Sequence, residues 1–434
     1  MKRYLLFYLC VFNMLFLLNC SKDSSDSSAG SVPAQSVSLS ETACSIPLGG
    51  FDQLTATVTP AGANQNVTWH SQSTDIATVD ANGKVYAVTA GTTIVTAASE
   101  DGGFSDSCVV TTFLYNAGDF SDGSDEHPGF WGGAALLTLD SVKGCAYSPV
   151  IVSGTTAYYA GYYMDGTDEK PCYWKGTQRI NLSAGASSTA YATAVAYANI
   201  PPFPSVVYTS GYYDSGGVFV PCYWTDTSRT DLTGVAGHNA YATSIAVTGI
   251  FVSQKIYVGG FYVDSSASCY IPCYWENSQR MDLNISEYLD GFVYGLTVYE
   301  DTVYTAGNVD FSTPCYWTGS TQTPLPTGGR PGDAMAITVY NGTVYTAGYY
   351  NNGTKDVPCY WAGTSRTNLT GGGSATENAY ASSIIVSGGK VYTSGCYMSN
   401  GKAIPCYWED TDRVDLDTYN NNGGAVCSPG YDIW

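Results

Sequence analysis

Charged residues are scarce in this 434-residue chain and make up 12% of it. The chain has three histidines, and it contains no HExxH zinc motif, no phosphate-binding loop and no G-x-S-x-G nucleophile elbow. It also has no CxxC pair and no Cys/His cluster. The enzyme and metal-site classes that these motifs mark are therefore excluded at the level of sequence, and no catalytic residue is predicted.

Basic residues are scarcer still. The chain carries 17 Lys and Arg against 37 Asp and Glu, a formal net charge of −20. Without Lys2 and Arg3, which precede an apolar leader, 15 basic residues face 37 acidic ones, and the net charge is −22. A surface of this charge repels nucleic acid and anionic lipid headgroups, so neither is expected as a partner.

What the chain has in abundance is glycine and tyrosine, with 48 and 37 residues. Its N-terminus, residues 1–19, is basic and then apolar, which is typical of a signal peptide too short to span a membrane comfortably. The stretch Leu17-Leu18-Asn19-Cys20 resembles a bacterial lipoprotein box. That resemblance implies lipidation at Cys20; the alternative is an ordinary secretory signal with an incidental cysteine.

Residues 20–36 are predicted to be a flexible tether from Cys20. Its run of Ser and Asp, residues 21–28, resembles the acidic export signals of Bacteroidetes surface lipoproteins. This resemblance implies a lipid anchor in the outer membrane and a chain that faces outward. A plain solvated spacer, with the protein facing the periplasm, is the alternative.

Residues 37–112 show short runs with period-two alternation, which predict a small β-sandwich. The segments LTATV (54–58), VTW (67–69), IATVDANGKVYA (76–87) and GTTIVTA (91–97) resemble the bacterial Ig-like group 2 (BIG2) family. In that family the domain is usually a spacer or an adhesive stalk. Cys44 and Cys108 fall in its first and last strands, so a disulfide between them is expected; two unpaired buried thiols are the alternative.

The tetrapeptide Pro-Cys-Tyr-Trp occurs six times downstream, at intervals of 42 to 51 residues, and a degenerate copy begins at Pro128. Each repeat contains four strand-like runs, here called a, b, c and d. In one unit they are residues 241–247, 256–262, 271–275 and 280–283. Four short strands in some 45 residues is the content of one β-propeller blade.

The two ends of the repeat array are complementary. Residues 113–140 supply strands b, c and d without a strand a, and residues 425–434 align with strand a alone. The sequence therefore predicts an all-β chain with a seven-bladed propeller over residues 113–434, closed by a C-terminal strand. The repeats resemble those of uncharacterised Bacteroidetes surface lipoproteins.

Candidate ligand-binding residues lie where strand a begins, because the variable b–c and d–a loops share that face. Aromatic rings at this position could stack on sugars; the alternative is packing between blades. Titratable groups occur at or near the same place. The candidates are Tyr191, Tyr241, Phe292, Tyr380, Asp333, His238, Asp290 and Glu377.

The six repeat cysteines are one blade width apart, so they are expected to be reduced and buried. Cys145 and Cys427 flank the predicted closure, and whether they are bonded is left open. The acidic loop at residues 119–126 could hold Ca2+, although a solvated loop is favoured; no other cofactor is expected.

Binding or adhesion at the cell surface, with a glycan or protein ligand, is the function favoured by these features, and a monomer anchored only by lipid is expected. A propeller-type carbohydrate-active enzyme, hydrolase or lyase, needs paired carboxylates or a charged base near the ligand, so catalysis is less favoured. A purely structural envelope protein is the third reading.

Overall fold

The computed structural model describes residues 32–101, 103–187, 189–199, 204–234, 236–249, 253–264, 269–285, 289–371, 376–418 and 423–425, and the side chains of 148–151 are not considered. In these ranges the chain is all-β. No helix there is long and apolar enough to cross a membrane. The predicted signal peptide and the lipidation site Cys20 lie outside the described residues, and so does most of the predicted tether.

The first domain contains nine strands in three sheets, ordered β2-β9-β8-β5, β3-β7-β6 and β1-β4. The strands are β1 (Ser36–Leu39), β2 (Ala43–Pro47), β3 (Phe51–Gln53), β4 (Ala56–Thr59), β5 (Val67–Ser71), β6 (Ala77–Val79), β7 (Lys84–Ala87), β8 (Gly91–Ser99) and β9 (Ser105–Phe113).

Period-two alternation forms the core of this domain. Along β8 the buried side chains are Thr93, Val95, Ala97 and Ser99, and the residues between them are partly or fully exposed. One face of the strand is therefore packed against the opposite sheet and the other faces solvent. This is the sandwich that the sequence predicts.

Cys44 lies on β2, the second strand rather than the first as predicted, and β2 pairs in parallel with β9. The Sγ atoms of Cys44 and Cys108 are 3.8 Å apart, and both cysteines are free and buried. An S–S bond is about 2.05 Å long, so this structure holds two adjacent thiols. The disulfide stays a prediction.

The second region begins at β10, one residue after β9. Its strands form seven four-stranded sheets within the described residues. The composite sheet contains β10 (Tyr115–Ser121), β11 (Glu126–Gly132), β12 (Ala135–Thr138) and β37 (Gly424–Ala425); the first repeat sheet contains β13 (Gly144–Ser153), β14 (Thr156–Asp165), β15 (Asp168–Lys175) and β16 (Gln178–Asn181).

The remaining five sheets follow in chain order. The second contains β17 (Ala190–Ala198), β18 (Val206–Asp214), β19 (Phe219–Thr225) and β20 (Ser228–Asp231); the third β21 (Ala240–Thr248), β22 (Lys255–Val263), β23 (Tyr270–Glu276) and β24 (Gln279–Asp282); the fourth β25 (Gly291–Tyr299), β26 (Thr302–Val309), β27 (Thr313–Thr318) and β28 (Thr321–Pro324); the fifth β29 (Gly332–Tyr340), β30 (Thr343–Asn351), β31 (Asp356–Ala362) and β32 (Ser365–Asn368); the sixth β33 (Ala379–Ser387), β34 (Lys390–Ser399), β35 (Lys402–Glu409) and β36 (Asp412–Asp415).

Each repeat sheet is an antiparallel a-b-c-d meander, as the sequence predicts. Strands b and c are buried on both faces because a neighbouring sheet covers each side. The six repeat cysteines are fully buried, free thiols, and burial raises their pKa. The seven tryptophans at the equivalent places in strand c are also fully buried, at positions 131, 174, 224, 275, 317, 361 and 408.

One position of strand b is glycine in every repeat. A side chain there would collide mainly with strand a of the same sheet, and less closely with the tryptophan of strand c. A Cβ at Gly211 would overlap the carbonyl oxygen of Tyr191, and it would lie 2.8 Å from the Trp224 ring. Strand a carries a β-bulge next to this point, between Ala192 and Ala194. The same overlap recurs at glycines 161, 260, 307, 348 and 395.

The buried tryptophans link neighbouring sheets. The Nε1–H of Trp224 donates to the carbonyl oxygen of Ser183, in the d–a loop of the preceding sheet, at 2.9 Å. Trp275, Trp317, Trp361 and Trp408 repeat this bond. In the composite sheet, Trp131 donates to Asp417 at 2.8 Å, just after the last strand of the sixth sheet.

Strand β37 lies beside β10, where strand a stands in the other sheets, with Ala425 opposite Asp119 and Gly424 opposite Phe120. Consecutive repeat sheets contact each other through their a strands, β10 contacts β13, and β37 contacts β35 of the sixth sheet. The rest of the predicted closing segment, including Cys427, lies outside the described residues.

The Ig-like domain packs on the a–b turns of two repeat sheets. In the first sheet, the carbonyl oxygen of Gly154 accepts the N–H of Phe51 at 3.1 Å. In the sixth, Ser387 Oγ donates to the carbonyl of Val88 at 2.6 Å, and the Tyr392 hydroxyl accepts the N–H of Ala90 at 3.0 Å. The a–b turns and the b–c turns lie at opposite ends of each sheet, so in the part of the chain that the structure describes the Ig-like domain leaves the b–c and d–a face uncovered.

Candidate functional site

The predicted candidates gather at the beginnings of the a strands, on the uncovered face. In the second, third and fourth sheets this position is aromatic, and in the fifth it is Asp333. Each of these residues pairs with the residue that follows the repeated glycine of strand b. We call these two paired positions, taken over all the sheets, the mouth of the repeat region. Their side chains differ from one sheet to the next.

A continuous aromatic belt crosses the first four repeat sheets. Tyr191 packs edge-to-face against Tyr162, with ring centroids 5.2 Å apart. The centroids of successive rings along the belt are 4.9 to 5.2 Å apart. The rings of the belt, in order, are Tyr162, Tyr191, Tyr212, Tyr241, Phe261, Phe292 and Phe311. Phe219 and Tyr270 from the c strands pack beside it.

Most of the belt is core. Phe292 is 1% exposed, Phe261 is fully buried and Tyr241 is 9% exposed. The structure therefore places Tyr241 and Phe292 in inter-sheet packing, the alternative left open in the sequence analysis. Tyr191 is half-buried, and its hydroxyl donates to Glu169.

Phe311 ends the belt and is its most exposed ring, at 47%. It lies in the b–c turn of the fourth sheet with φ of 51°, next to Asp310 with φ of 56°. A bulky residue at positive φ is strained, and such strain is often associated with functional sites. Sequence reasoning missed Phe311, because only its turn conformation and exposure distinguish it from the other aromatics.

A carboxylate cluster replaces the belt in the fourth to sixth sheets. Asp333 accepts hydrogen bonds from the Tyr349 hydroxyl and from Asn308 Nδ2, and Asn308 lies in the preceding sheet. Tyr380 donates to Asp356 at 3.0 Å and packs edge-on against Tyr349 at 4.9 Å. Two carboxylates and their tyrosine donors are thus brought together at one side of the mouth.

Burial governs the ionisation of the carboxylate cluster. It raises the pKa of Asp333, while the hydrogen bonds from Tyr349 and Asn308 lower it and the charge of Asp356 raises it further. Burial and the neighbouring carboxylates also raise the pKa values of Tyr349 and Tyr380. The tyrosines are therefore neutral hydroxyls at pH 7, and the carboxylates are the acceptors.

The other titratable candidates have different roles. Asp290 Oδ1 accepts the N–H of Tyr270 at 2.7 Å, and Asn239 and Asn378 hold the equivalent strands in the same way, so Asp290 is structural. Glu377 Oε1 accepts the N–H of Asn400 at 2.6 Å. His238 is half-buried in the d–a loop of the second sheet.

A cavity of about 550 Å³ lies between the b–c turn of the fourth sheet and the d–a loop that follows that sheet. It is lined by Ser312 and Thr313 from the b–c turn of the fourth sheet and by residues 325–331 of the following d–a loop. Arg330 is its one charged lining residue among those described. Phe311 directly precedes Ser312, and Asp333 lies two residues after Pro331, so both residues border the lining segments in the chain.

A second cavity, of about 350 Å³, lies at the acidic loop proposed for Ca2+. There Asp122 accepts the N–H groups of Ser124 and Asp125, and it pairs with His127 at 3.2 Å. Asp125 pairs with Lys143 at 2.5 Å. The backbone hydrogen bonds lower the pKa of Asp122. These carboxylates already have partners within the protein, and calcium binding there stays a prediction.

Comparison with known proteins defines the first domain. Residues 33–110 match the family model of the bacterial Ig-like domain (group 2). An uncharacterised protein of Clostridium acetobutylicum is 44% identical over 82 residues. That match covers 18% of this chain and 8% of that protein. The similarity is therefore limited to this domain, and the chain spans only a small part of the relative's length.

Solved structures align over more of the chain at lower similarity. YjhT, at 10% identity and a TM-score of 0.32, covers 62% of this chain and 96% of its own. A mutant Aleuria aurantia lectin in complex with alpha-methyl-L-fucoside aligns at 10% identity and a TM-score of 0.32, and the alignment covers 85% of this chain and 98% of the lectin. A quinonprotein alcohol dehydrogenase-like protein from Bacteroides thetaiotaomicron aligns at 10% identity and a TM-score of 0.33, and the alignment covers 91% of this chain and 96% of that protein.

Proposed function

We propose that the repeat region is a seven-bladed β-propeller whose composite blade is completed by the C-terminal strand. The support is local and comes from both edges of the composite sheet. Strand β37 pairs with β10 at one edge. Trp131, on the interior strand β11, donates to the carbonyl oxygen of Asp417, and the N–H of Asp417 donates to the carbonyl oxygen of Ala134, beside the other edge strand β12. A linear array would leave its first and last sheets unpaired with each other.

The propeller is proposed to bind a glycan, or a protein, at the uncovered face. One observation carries this proposal: the Ig-like domain occupies the a–b turns, while the belt, the carboxylate cluster and the 550 Å³ cavity all lie on the opposite face. An exposed ring beside hydrogen-bond acceptors suits a sugar, which offers an apolar ring face and hydroxyl donors. The site is centred on Phe311, Asp333 and the loop at 325–331.

The anchoring is proposed from the sequence. A lipidated Cys20 would hold the chain at the outer membrane, with the Ig-like domain nearest the lipid and the open face outward. Changing Cys20 to Ala is expected to release the protein from the membrane fraction, because a signal peptide that is cleaved leaves no apolar anchor. Protease treatment of intact cells tests the outward orientation separately.

A glycan array probed with the chain from residue 21 onward tests the binding function. We expect retention of a restricted set of neutral or cationic glycans, and reduced retention when Phe311 is changed to Ala. An array without any retained glycan would contradict the glycan proposal. A protein ligand would then be sought by cross-linking from the same face.

Catalysis is the second candidate, and the observation that favours it is the contact between Tyr349 and Tyr380, which links Asp333 to Asp356. A carboxyl group with a raised pKa next to a second carboxylate is the arrangement that a glycosidase requires. Turnover of an array-retained glycan that is lost in Asp333→Asn, with binding retained, would establish an enzyme. Binding without turnover would leave the adhesion function.

A further inference from the structure

The Ig-like domain brings four possible metal ligands together at one edge. Cys44 lies on β2 and Cys108 on the neighbouring β9. Glu41 lies in the turn before β2, and Asp52 lies on β3. The donor atoms of Glu41, Cys44 and Asp52 all lie within 4.8 Å of one another, and Cys108 Sγ is 3.8 Å from Cys44 Sγ. Residues 41–52 supply three of these ligands, and Cys108 from β9 supplies the fourth.

We propose that Cys44, Cys108, Glu41 and Asp52 bind one thiophilic divalent cation, for which Zn2+ is the best fit. Two thiolates on a tetrahedral zinc ion, each about 2.3 Å from the metal, are about 3.8 Å apart. The observed separation of the two Sγ atoms has this value. It is far longer than the S–S bond of about 2.05 Å that a disulfide needs.

The layout of the site suits a bound cation. The two thiols form its floor, since Cys108 is fully buried and Cys44 is 9% exposed. The two carboxylates form its outer rim, because Glu41 is exposed and Asp52 is half-buried. Asp52 also accepts the N–H of Gln53 at 2.8 Å through Oδ1, which orients its carboxylate. A cation could therefore enter from solvent past the carboxylates and reach the sulfur atoms.

The two carboxylates place negative charge beside the two thiols. A divalent cation would supply the positive charge that this donor set lacks. It would also join β2, β3 and β9 at the core cluster that includes Tyr392 of the propeller. The predicted disulfide and the metal exclude each other, because a disulfide removes both thiolates.

Cobalt titration tests the proposal. The chain from residue 21 onward, without a His-tag and kept anaerobic, is titrated with Co2+. We expect one equivalent to produce a thiolate-to-cobalt absorption band in the near ultraviolet, and Zn2+ to abolish that band. Cys108→Ser should remove it. Glu41→Gln and Asp52→Asn should weaken cobalt binding by about tenfold or more.

Two controls keep the test decisive. Asp75→Asn changes an exposed carboxylate elsewhere in the same domain and should bind cobalt like the parent. If Cys108→Ser fails to fold, the two surface carboxylate variants carry the test. Absence of the band while peptide mapping finds both thiols reduced would overturn the proposal. A Cys44–Cys108 disulfide in protein isolated without reductant would overturn it as well.

Discussion

The aromatic belt and the carboxylate cluster occupy equivalent positions in different copies of the repeat. The belt is mostly buried packing, whereas the cluster is a group of hydrogen-bonded polar side chains. Phe292 and Asp333 stand at equivalent points of adjacent a strands. Phe292 meets Phe261 and Phe311 and is buried, whereas Asp333 meets Asn308 and Tyr349 and forms a hydrogen-bonded group. The same backbone position is thus core or polar site according to the side chains that the neighbouring sheet, the next strand and the b–c turn place around it.

The largest expected effect comes from breaking the belt. Phe292→Ala should lower the free energy of unfolding by about 3–5 kcal/mol, because a buried ring is removed between two sheets. Thermal melting checks this, with Tyr340→Ala as a control, since Tyr340 is only half-buried beside the a–b turn of the fifth sheet. A loss no greater than that of the control would mean that the belt is not core.

The cluster should respond less strongly. Tyr380→Phe removes the hydroxyl that donates to Asp356 and leaves the ring against Tyr349. We expect a loss of about 1–3 kcal/mol, because a half-buried carboxylate loses a hydrogen-bond donor. Chemical denaturation measures it. An unchanged midpoint would show that water replaces the hydroxyl without cost and that the cluster is not a cooperative unit.

A pH comparison isolates Asp333. Its pKa in the folded protein is raised above the ordinary value of 3.8, mainly by burial, so ionisation costs folding stability at neutral pH. Asp333→Asn should therefore melt at a higher temperature than the parent at pH 7. The difference should shrink as the pH falls through the raised pKa and vanish below 3.8. A variant that is less stable at pH 7 would show that the hydrogen bonds to the charged form outweigh burial.

The repeat itself was predictable from sequence, because its signals are local. The spacing of Pro-Cys-Tyr-Trp and the four strand-like runs predicted β21 to β24 to within a residue or two at each end. The glycine of strand b also recurs in the sequence, but the reason for it is seen only in the structure. Its main neighbour is the carbonyl at the bulge of strand a, and no residue pattern marks that bulge.

The division of the mouth was not predictable in the same way. Tyr241 and Tyr380 look alike in sequence, but Tyr241 faces Phe261 and is buried, while Tyr380 faces Cys396 and reaches Asp356. The burial of each ring depends on its cross-strand partner and on the neighbouring sheet. Asp333 at the start of strand a and Asn308 after the repeated glycine both interrupt the aromatic pattern, and they are the sequence signals of the cluster.

Domain docking was also invisible in the sequence, where the Ig-like domain was read as a spacer or stalk. Gly388 belongs to an ordinary tight turn, with φ of 59°, yet a Cβ there would lie 2.5 Å from Thr89 of the Ig-like domain. Close packing of two turns from distant parts of the chain leaves no periodic pattern. Because the Ig-like domain contacts the a–b turns, it does not cover the b–c and d–a face among the residues that the structure describes.

Binding by two matched phenylalanine variants tests the central claim most directly. Phe311 and Phe104 are both exposed, at 47% and 39%, but Phe311 is at the mouth and Phe104 is in the Ig-like domain. Each change to Ala should alter stability by no more than about 0.5 kcal/mol. For the glycan that the array retains most strongly, Phe311→Ala should raise the dissociation constant about tenfold and Phe104→Ala should leave it unchanged. Equal affinities of the two variants would contradict a binding site at this face.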